Sequence, residues 1–512
     1  MTQQYLPRET RTMITLSIMA AAVMNQVDTT IANVALPHIQ GTTSASRDQI
    51  TWVLTSYILA MAITTPLTGW LADRYGRKRL LLVSVVGFTV VSGLCGISVR
   101  LDELVVFRFL QGMFGASMIP IAQVILMDLN PPEERGRAMA IFGLGFILGP
   151  LIGPLLGGWL TENFSWHWVF LINLPVGVAA FAGITTFLPE TRDENPRPFD
   201  LFGFALLALG LGAFQMVLDR GQTLDWFHST EISVEAGLAA LGLFLFAVHV
   251  LTTRHPFVRF AIFRDRNFAV STLVGLDLGV IMFGTISLLP PMLAGLYGEP
   301  IIDVGIAMAP RGAGTFCATL VVGRLIGKVD VRYLLFFGLF GCGLSSLALS
   351  TLSLQSDTAM VMASGFMNGF AMSFVFVPMS TTAFATLPRR YYNEASAIGT
   401  LIRYMGAAAA ISVVQVVTTR NEAKVQSRLT EGLTPDNPIW NWLRPDVDLG
   451  AAEGAARAVG ETARQALMVS YIDTFWMLGV LGIMAAPLVF LMRRPNDGWA
   501  QPAPDDLPAH AE

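Results

Sequence analysis

The sequence predicts an all-α polytopic membrane protein with about fourteen transmembrane helices, and three observations support that fold class. Of the 512 residues, 53% are hydrophobic and only 14% are charged, and the mean hydropathy is +0.56. Apolar runs of about 20 residues, the length that crosses a bilayer, recur from Leu16 to Leu491. An internal repeat divides these runs into two six-helix halves with two additional inserted helices.

Basic residues lie in alternate predicted loops, and this asymmetry sets the orientation of the helices. One set of loops carries Arg74, Arg77, Lys78, Arg79, Arg135, Arg137, Arg192, Arg197, Arg254, Arg259, Arg264, Arg266, Arg324, Lys328, Arg332, Arg389 and Arg390, joined by Arg8, Arg11, Arg493 and Arg494 near the ends. The opposite short loops contain little more than Arg47, Arg100 and Arg220. The positive-inside rule therefore predicts that the basic loops and both termini are cytoplasmic.

The internal repeat is visible in two loop segments. The segment that begins at Gly69 resembles the one that begins at Gly323, and the segment that begins at Pro132 resembles the one at Pro388. Many transporters pack two such helical halves around a central site. The predicted units are an N-terminal six-helix bundle over 1–188, an inserted helix pair over 200–253, a C-terminal six-helix bundle over 267–492 and a cytoplasmic tail over 493–512.

The second bundle is expected to contain one long non-cytoplasmic loop over 420–469. Pro435, Pro438 and Pro445 lie early in this segment, and an Ala/Glu/Arg-rich helical pattern follows from Ala451 to Leu467. Two interpretations stay open. The loop is either a structured cap or a docking surface for a partner outside the membrane.

Several function classes are excluded by what the sequence lacks. The net charge of −4 is dispersed, so no basic face for nucleic acid can be drawn. Cys95, Cys317 and Cys342 each lie inside an apolar run, which gives neither a disulfide framework nor a metal site. The six His residues are scattered and no nucleotide-binding or nucleophile motif is present, so an enzyme is not predicted.

Three charged residues inside predicted helices are candidates for proton coupling: Asp28, Arg108 and Asp277. An ionised carboxylate in a membrane is costly unless it faces a partner or a watery cavity. Asp28 would carry the proton, and Arg108, which stays charged, would stabilise the ionised form of a nearby acid. Structural alternatives stay open: a hydrogen-bonded Asp28, an Arg108 that reaches the membrane surface, and an Asp277 satisfied near a helix end. Arg403 in the thirteenth predicted helix is a second candidate of the same kind as Arg108.

Two other patterns predict moving parts. Glycines recur every four residues along the fifth helix beside prolines, which predicts a deformable helix at an opening interface or, alternatively, small-residue packing alone. This set is Gly145, Gly149, Pro150, Gly153, Pro154, Gly157 and Gly158. A charge cluster in the first cytoplasmic loops is expected to form pairs that lock one conformation, unless it only determines topology. Its members are Asp73, Arg74, Arg77, Lys78, Asp128, Glu134 and Arg135, and the predicted cytoplasmic gate also includes Gly69.

A substrate cavity is expected where polar points interrupt apolar helix faces. Packing without a cavity is the alternative, since Met and aromatic residues in membrane helices usually pack. The candidate lining residues are Met24, Asn25, Asn33, Gln111, Asn368, Met372 and Phe376.

These motifs together resemble the major facilitator superfamily, in particular its fourteen-helix drug:proton antiporter branch (EmrB/QacA type). The resemblance covers nearly the whole chain and rests on segments that begin at Asp28, Gly69, Arg108 and Gly149. A closer likeness, to pumps of Gram-negative tripartite efflux systems, rests on Leu218-Asp-Arg-Gly221 followed by Asp225-Trp-Phe227. Two departures are Gly327, where the first half has Asp73, and Asp277, which is outside the family pattern.

The resemblance implies the major facilitator fold and a proton-coupled multidrug efflux antiporter in the bacterial inner membrane. Its substrates would be hydrophobic toxic compounds exported by alternating access, with the proton gradient as energy source and no cofactor. The implied partners are the lipid bilayer, an EmrA-type periplasmic adaptor and an outer-membrane channel. A dedicated exporter of a single metabolite or siderophore would share every motif and stays open as the alternative.

Overall fold

The computed structural model describes residues 6–191, 198–253, 256–431 and 451–493, together with 433 and 449. Its helices in the first half are α1 (Arg8–Thr43), α2 (Arg47–Thr64), α3 (Leu67–Tyr75), α4 (Arg77–Cys95), α5 (Leu101–Gly115), α6 (Met118–Leu129), α7 (Pro132–Asn163), α8 (Trp168–Leu171) and α9 (Asn173–Phe187). The inserted pair is α10 (Leu201–Arg220) and α11 (Thr230–Thr252). The second half comprises α12 (Arg266–Leu296), α13 (Ile301–Leu325), α14 (Val331–Leu349), α15 (Thr358–Ala385), α16 (Tyr392–Glu431) and α17 (Ala452–Ala485).

Twelve spans in the described part of the chain are long and apolar enough to cross a membrane. The pair α2 and α3, bent by 58° at its break, adds a thirteenth. Helix α1 is outside this count, although its 36 residues exceed the length that a bilayer needs. Asn25, Gln26 and Asp28 lower its hydropathy. With α1 included, the architecture agrees with the predicted fold class of about fourteen membrane helices.

The two halves are separate bundles that meet along a few helices. In the first half α1 packs against α7 and α9, and α4 packs against α5. In the second half α12 packs against α16, and α15 packs against α13 and α14. Helix α7 also packs against α13 and α15, which places it between the halves. The inserted helices pack on each other, and α10 contacts both α2 and α16.

Helix α16 extends into the predicted long loop, so the predicted start of that loop needs correction. Helix α16 continues to Glu431, and α17 begins at Ala452, as the helical pattern there predicted. At the base of this region the two helices are joined by side-chain hydrogen bonds between Thr418 and Thr474 at 3.2 Å and between Asn421 and Asp473. A polar helix beyond the membrane lacks the apolar window by which spans are recognised, which explains the error.

Some predicted features lie outside the described residues. These are Pro435, Pro438 and Pro445 of the loop, Arg192, Arg197 and Arg254 of the basic set, and the tail from Arg494 to Glu512.

Candidate functional site

A cavity of about 830 Å³ lies between the two halves. Residues of α1, α2, α5, α7, α10, α12, α13 and α16 line it, and most of them are apolar. Polar contributions come from Thr29, Thr30, Asn33, Tyr57, Arg108, Gln215, Asp219, Ser287, Tyr404, Ser412 and Gln415. An apolar enclosure with a few polar points is typical of sites that bind hydrophobic small molecules.

A fully buried ion pair stands at the wall of this cavity. Arg108 on α5 donates from Nη1 to Oδ2 of Asp28 on α1 at 2.6 Å, and neither side chain has any exposed surface. The second carboxylate oxygen, Oδ1, accepts from Gln111 at 3.0 Å and from Asn173 at 2.9 Å. The cost of burying the carboxylate is therefore offset by one charge and two amide donors.

Arg108 has further contacts that do not depend on Asp28. Its Nε donates to the Val53 carbonyl at 3.2 Å, and its Nη1 donates to Oε1 of Gln111 at 2.8 Å. Its guanidinium also lies over the Tyr57 ring, 4.1 Å from the ring centroid. Such a cation–π contact is worth about 2 kcal/mol when desolvated.

At one end of the two bundles, contacts of the predicted gate residues join the two halves. Arg77 donates from Nε to Oδ1 of Asn393 at 2.8 Å and forms an ion pair with Asp128. The Nδ2 group of the same Asn393 donates to Asp73. Asn393 therefore connects two charged residues of the first half to the start of α16.

Further contacts join the two halves in the same region. Ser396 donates to the Pro120 carbonyl at 2.9 Å and lies 3.1 Å from Oε1 of Gln123, and both partners belong to the first half. A Cβ on Gly69 would lie 3.0 Å from the Cα of Glu394, so the glycine lets α3 lie close to the start of α16. Of the other predicted gate residues, Arg135 is buried and donates to the Asn130 carbonyl at 3.3 Å, whereas Arg74 is exposed.

The glycine stripe of α7 packs against α1. A Cβ on Gly145 would lie 2.6 Å from Val23, one on Gly149 2.5 Å from Gln26, and one on Gly153 2.1 Å from Thr30. A Cβ on Gly157 would lie 2.9 Å from the Ile31 carbonyl. Gly158 and Pro150 are buried, Pro154 lines the cavity, and α7 continues through both prolines. The stripe therefore lies inside the first half, and the opposite side of α7 meets the second half.

Comparison with known proteins identifies the family. Residues 18–411, more than half of the chain, match the Major Facilitator Superfamily. The chain belongs to this superfamily. It is 34% identical over 501 residues to "Multidrug export protein EmrB" of Escherichia coli (strain K12), which covers 96% of this chain and 98% of the relative. It is 33% identical over 487 residues to "Fatty acid resistance protein FarB" of Neisseria gonorrhoeae, covering 94% and 96%.

Solved structures of the major facilitator superfamily have the same fold. The proton:xylose symporter XylE superposes with a TM-score of 0.62 at 13% identity, covering 94% of this chain and 95% of that one. The human organic anion transporter MFSD10 superposes with a TM-score of 0.58 at 14% identity, covering 93% and 100%. The predicted family and fold class are confirmed.

The structure corrects the predicted cavity lining, because only Asn33 of the seven candidates lies on the cavity wall. Asn25 donates to the Tyr57 hydroxyl at 3.1 Å, and Gln111 belongs to the Asp28 network. Asn368 donates to Ser345 at 2.8 Å inside the second bundle. Met24 and Met372 are buried in the core, and Phe376 stacks on Phe146 with centroids 4.8 Å apart. Residue type alone does not reveal which face of a helix meets the cavity.

Asp277 does not join the other predicted proton-coupling residues. It lies on α12 in the second bundle, outside the Asp28 network and the cavity lining, and its Oδ2 has no hydrogen-bond partner in the described part of the protein. Arg403 is buried between the halves, 4.7 Å from the Phe146 ring centroid, and its Nη2 donates to Thr400 at 3.4 Å.

Sequence reasoning missed several residues of the site. Asn173 and Ser92 complete the Asp28 network, in which Asn173 donates to Ser92 at 2.9 Å. Arg311 is fully enclosed in the second bundle and donates to the Met372 sulfur at 3.2 Å. Each is a polar residue inside an apolar run, which is the signal that could have found it.

Proposed function

We propose that this protein exports hydrophobic toxic compounds from the cytoplasm across the inner membrane in exchange for protons. Membership of the major facilitator superfamily supports transport. The buried Asp28–Arg108 pair at the cavity wall carries the proposal of proton coupling. An antiporter needs a carboxylate whose charge can change beside the substrate cavity, because binding of a proton can then affect binding of the substrate.

The names of the relatives support a broad range of substrates. One relative is a multidrug export protein, one is a fatty acid resistance protein, and one from Acinetobacter baumannii, 28% identical, is a colistin resistance protein. Fatty acids and colistin have in common only a hydrophobic part joined to a charged part. A large, mostly apolar cavity suits such compounds.

The proton step uses the contacts of Arg108. A proton on Asp28 would remove its charge and with it the attraction to Arg108. The guanidinium would keep the Val53 carbonyl, Gln111 Oε1 and the Tyr57 ring as partners. Arg108 would then lose its counter-charge, and these three neutral partners would offset part of the cost of leaving the guanidinium buried. Protonation of Asp28 would therefore change the charge at the cavity wall while the other contacts of Arg108 remain.

The gate supports alternating access. The positive-inside rule assigns the face that bears Asp73 and Arg77 to the cytoplasm. With the gate closed there, the cavity would be accessible only from the opposite side, where substrate leaves and protons enter. Breaking the contacts of Asn393 and Ser396 would open the cytoplasmic side for the next substrate.

We also propose that the helical extension formed by the ends of α16 and α17 contacts an EmrA-type periplasmic adaptor, which would connect the pump to an outer-membrane channel. This extension presents a polar helical surface on the side opposite the gate. Deletion of residues 430–460 should abolish co-purification with the adaptor while the pump remains in the membrane. Retained co-purification would contradict this contact.

The test is dye efflux with internal pH recording in inverted vesicles that are energised by a proton gradient. The intact chain should move protons when substrate is added, and Asp28→Asn should not, because an amide cannot release a proton. Asp102→Asn, which neutralises an exposed acid paired with Arg100 outside the cavity, is the control and should behave like the intact chain. Proton movement by Asp28→Asn would contradict the assignment. Activity with only one metabolite across a broad panel would favour a dedicated exporter.

A further inference from the structure

An acidic side chain of the inserted helix pair lies on the wall of the central cavity. Asp219 is near the end of α10, is exposed, and lines the cavity together with Gln215 one turn earlier. Its carboxylate accepts a hydrogen bond from Thr55 on α2. The motif Leu218-Asp-Arg-Gly221, whose function the fold alone does not explain, thus reaches the cavity.

The next residue, Arg220, faces away from the cavity and is held there. It donates to Glu231 at 2.5 Å and to Glu235 at 3.2 Å, both on α11, and its guanidinium lies 5.3 Å from the Trp52 ring centroid. Successive residues on a helix point about 100° apart. Arg220 therefore pairs with two acids of the other inserted helix and leaves Asp219 directed to the cavity.

The charges around the cavity do not cancel. Among its lining residues in the described part of the chain, the charged ones are Arg108 and Asp219. Arg108 is already neutralised by Asp28 at 2.6 Å, behind the wall. Asp219 hydrogen bonds to a neutral hydroxyl, so the wall presents one negative charge to whatever enters.

The inserted pair is positioned to act on a substrate between the halves. Helix α10 contacts α2 of the first half and α16 of the second. Gly212 brings it close to α2, since a Cβ there would lie 3.3 Å from Ile63 and 3.5 Å from Leu59. Through Gln215, Leu218 and Asp219, helix α10 of the pair is part of the cavity wall.

We propose that the inserted helix pair forms part of the substrate site and that Asp219 binds the positive charge of hydrophobic organic cations. The apolar walls would hold the body of such a compound, and the carboxylate would hold its charged group. A cation that reaches Asp219 inside this mostly apolar cavity is attracted more strongly than in water. Asp219 is then a specificity-determining residue, which goes one step beyond the proposed function and rests on it.

The experiment is a comparison of two ligands of similar shape on the purified full chain. Binding of tetraphenylphosphonium, a cation, and of triphenylphosphine oxide, which is uncharged, is measured by isothermal titration calorimetry. Asp219→Asn should weaken binding of the cation about tenfold and leave the uncharged ligand unchanged. Asp219→Glu, which keeps the charge, should restore most of the affinity. Asp303→Asn, which removes an exposed acid near the start of α13 that does not line the cavity, should bind both ligands like the intact chain.

Two results would overturn the assignment. Equal affinity of the intact chain and Asp219→Asn for the cation would show that the carboxylate is not a ligand. Equal loss for both ligands would show a structural role. Efflux of an uncharged dye in exchange for protons distinguishes this proposal from the preceding one. The variant Asp219→Asn should retain that efflux. Absence of the efflux in the intact chain would contradict proton-coupled export, and the result of the binding experiment would still stand.

Discussion

Asn393 uses both ends of its amide to join the two halves of the protein. Its Oδ1 accepts from Arg77 at 2.8 Å, and its Nδ2 donates to Asp73. A single neutral side chain at the start of α16 thereby satisfies one cation and one anion of the opposite half. Hydrogen bonds to charged groups contribute about 1.5–3 kcal/mol each, so this amide stabilises the contact between the two halves.

We predict that Asn393→Ala shifts the protein toward the state in which the gate is open. Loss of both bonds should increase the ratio of open to closed molecules about tenfold or more. Spin labels at Arg74 and Lys328, exposed residues of the two halves, report the separation across the gate. Replacing the exposed Cys317 by Ser removes the accessible native thiol, since Cys95 and Cys342 are buried. The distance distribution should gain a longer component.

Asn163→Ala is the matched control for this measurement. Asn163 is exposed at the end of α7 and donates to the Trp159 carbonyl of its own helix at 2.8 Å. Asn163→Ala removes a side-chain amide of the same size and leaves the contacts of Asn393 unchanged. An unchanged distribution for Asn393→Ala, identical to that of Asn163→Ala, would contradict the role of Asn393.

A second prediction concerns the coupling between Asp28 and Arg108. Arg108→Gln leaves the Asp28 carboxylate buried without its cation, which costs about 3–5 kcal/mol. In the double variant Asp28→Asn with Arg108→Gln no charge remains, so it should be more stable than Arg108→Gln alone. Thermal unfolding in detergent, followed by intrinsic fluorescence, measures all four proteins of the cycle. Additive losses would mean that the pair contributes nothing beyond its separate residues.

Much of the fold could be predicted because hydropathy acts locally. Each apolar run becomes a helix that satisfies its own backbone in lipid, so the spans follow from the composition of single segments. The extension of α16 after Arg420 could not be predicted from hydropathy, because a helix in water needs no apolar run of residues. The bend between α2 and α3 could not be predicted from it either, since the bend depends on packing.

The site could be predicted only in part, because contacts between distant helices are not encoded in one segment. Asp28 and Arg108 were found because a charge in a membrane helix is costly wherever it lies. Asn173 is neutral, so the free energy cost of burying it in a membrane helix is smaller, and its residue type alone does not indicate a site. The residue types of Met372 and Phe376 suit a cavity, but Met372 contacts Arg311 of α13 and Phe376 stacks on Phe146 of α7.

The glycine stripe of α7 leads to a last prediction. Gly153 faces α1 so closely that a Cβ would lie 2.1 Å from the Thr30 hydroxyl and 3.0 Å from the Val27 carbonyl. Atoms that close must move apart, and overpacking of this kind typically costs about 1–3 kcal/mol. Gly153→Ala should therefore lower the unfolding temperature and reduce transport.

The control for this substitution is Gly295→Ala in α12, where a Cβ would meet nothing within 4 Å. Alanine there should leave stability equal or increase it, since alanine favours a helix over glycine by up to about 1 kcal/mol. Thr30→Ala combined with Gly153→Ala should recover only part of the loss, because it removes the clash with the hydroxyl and leaves the Val27 carbonyl in place. Full stability of Gly153→Ala would mean that α1 and α7 can separate freely, and the stripe would then serve flexibility instead of close packing.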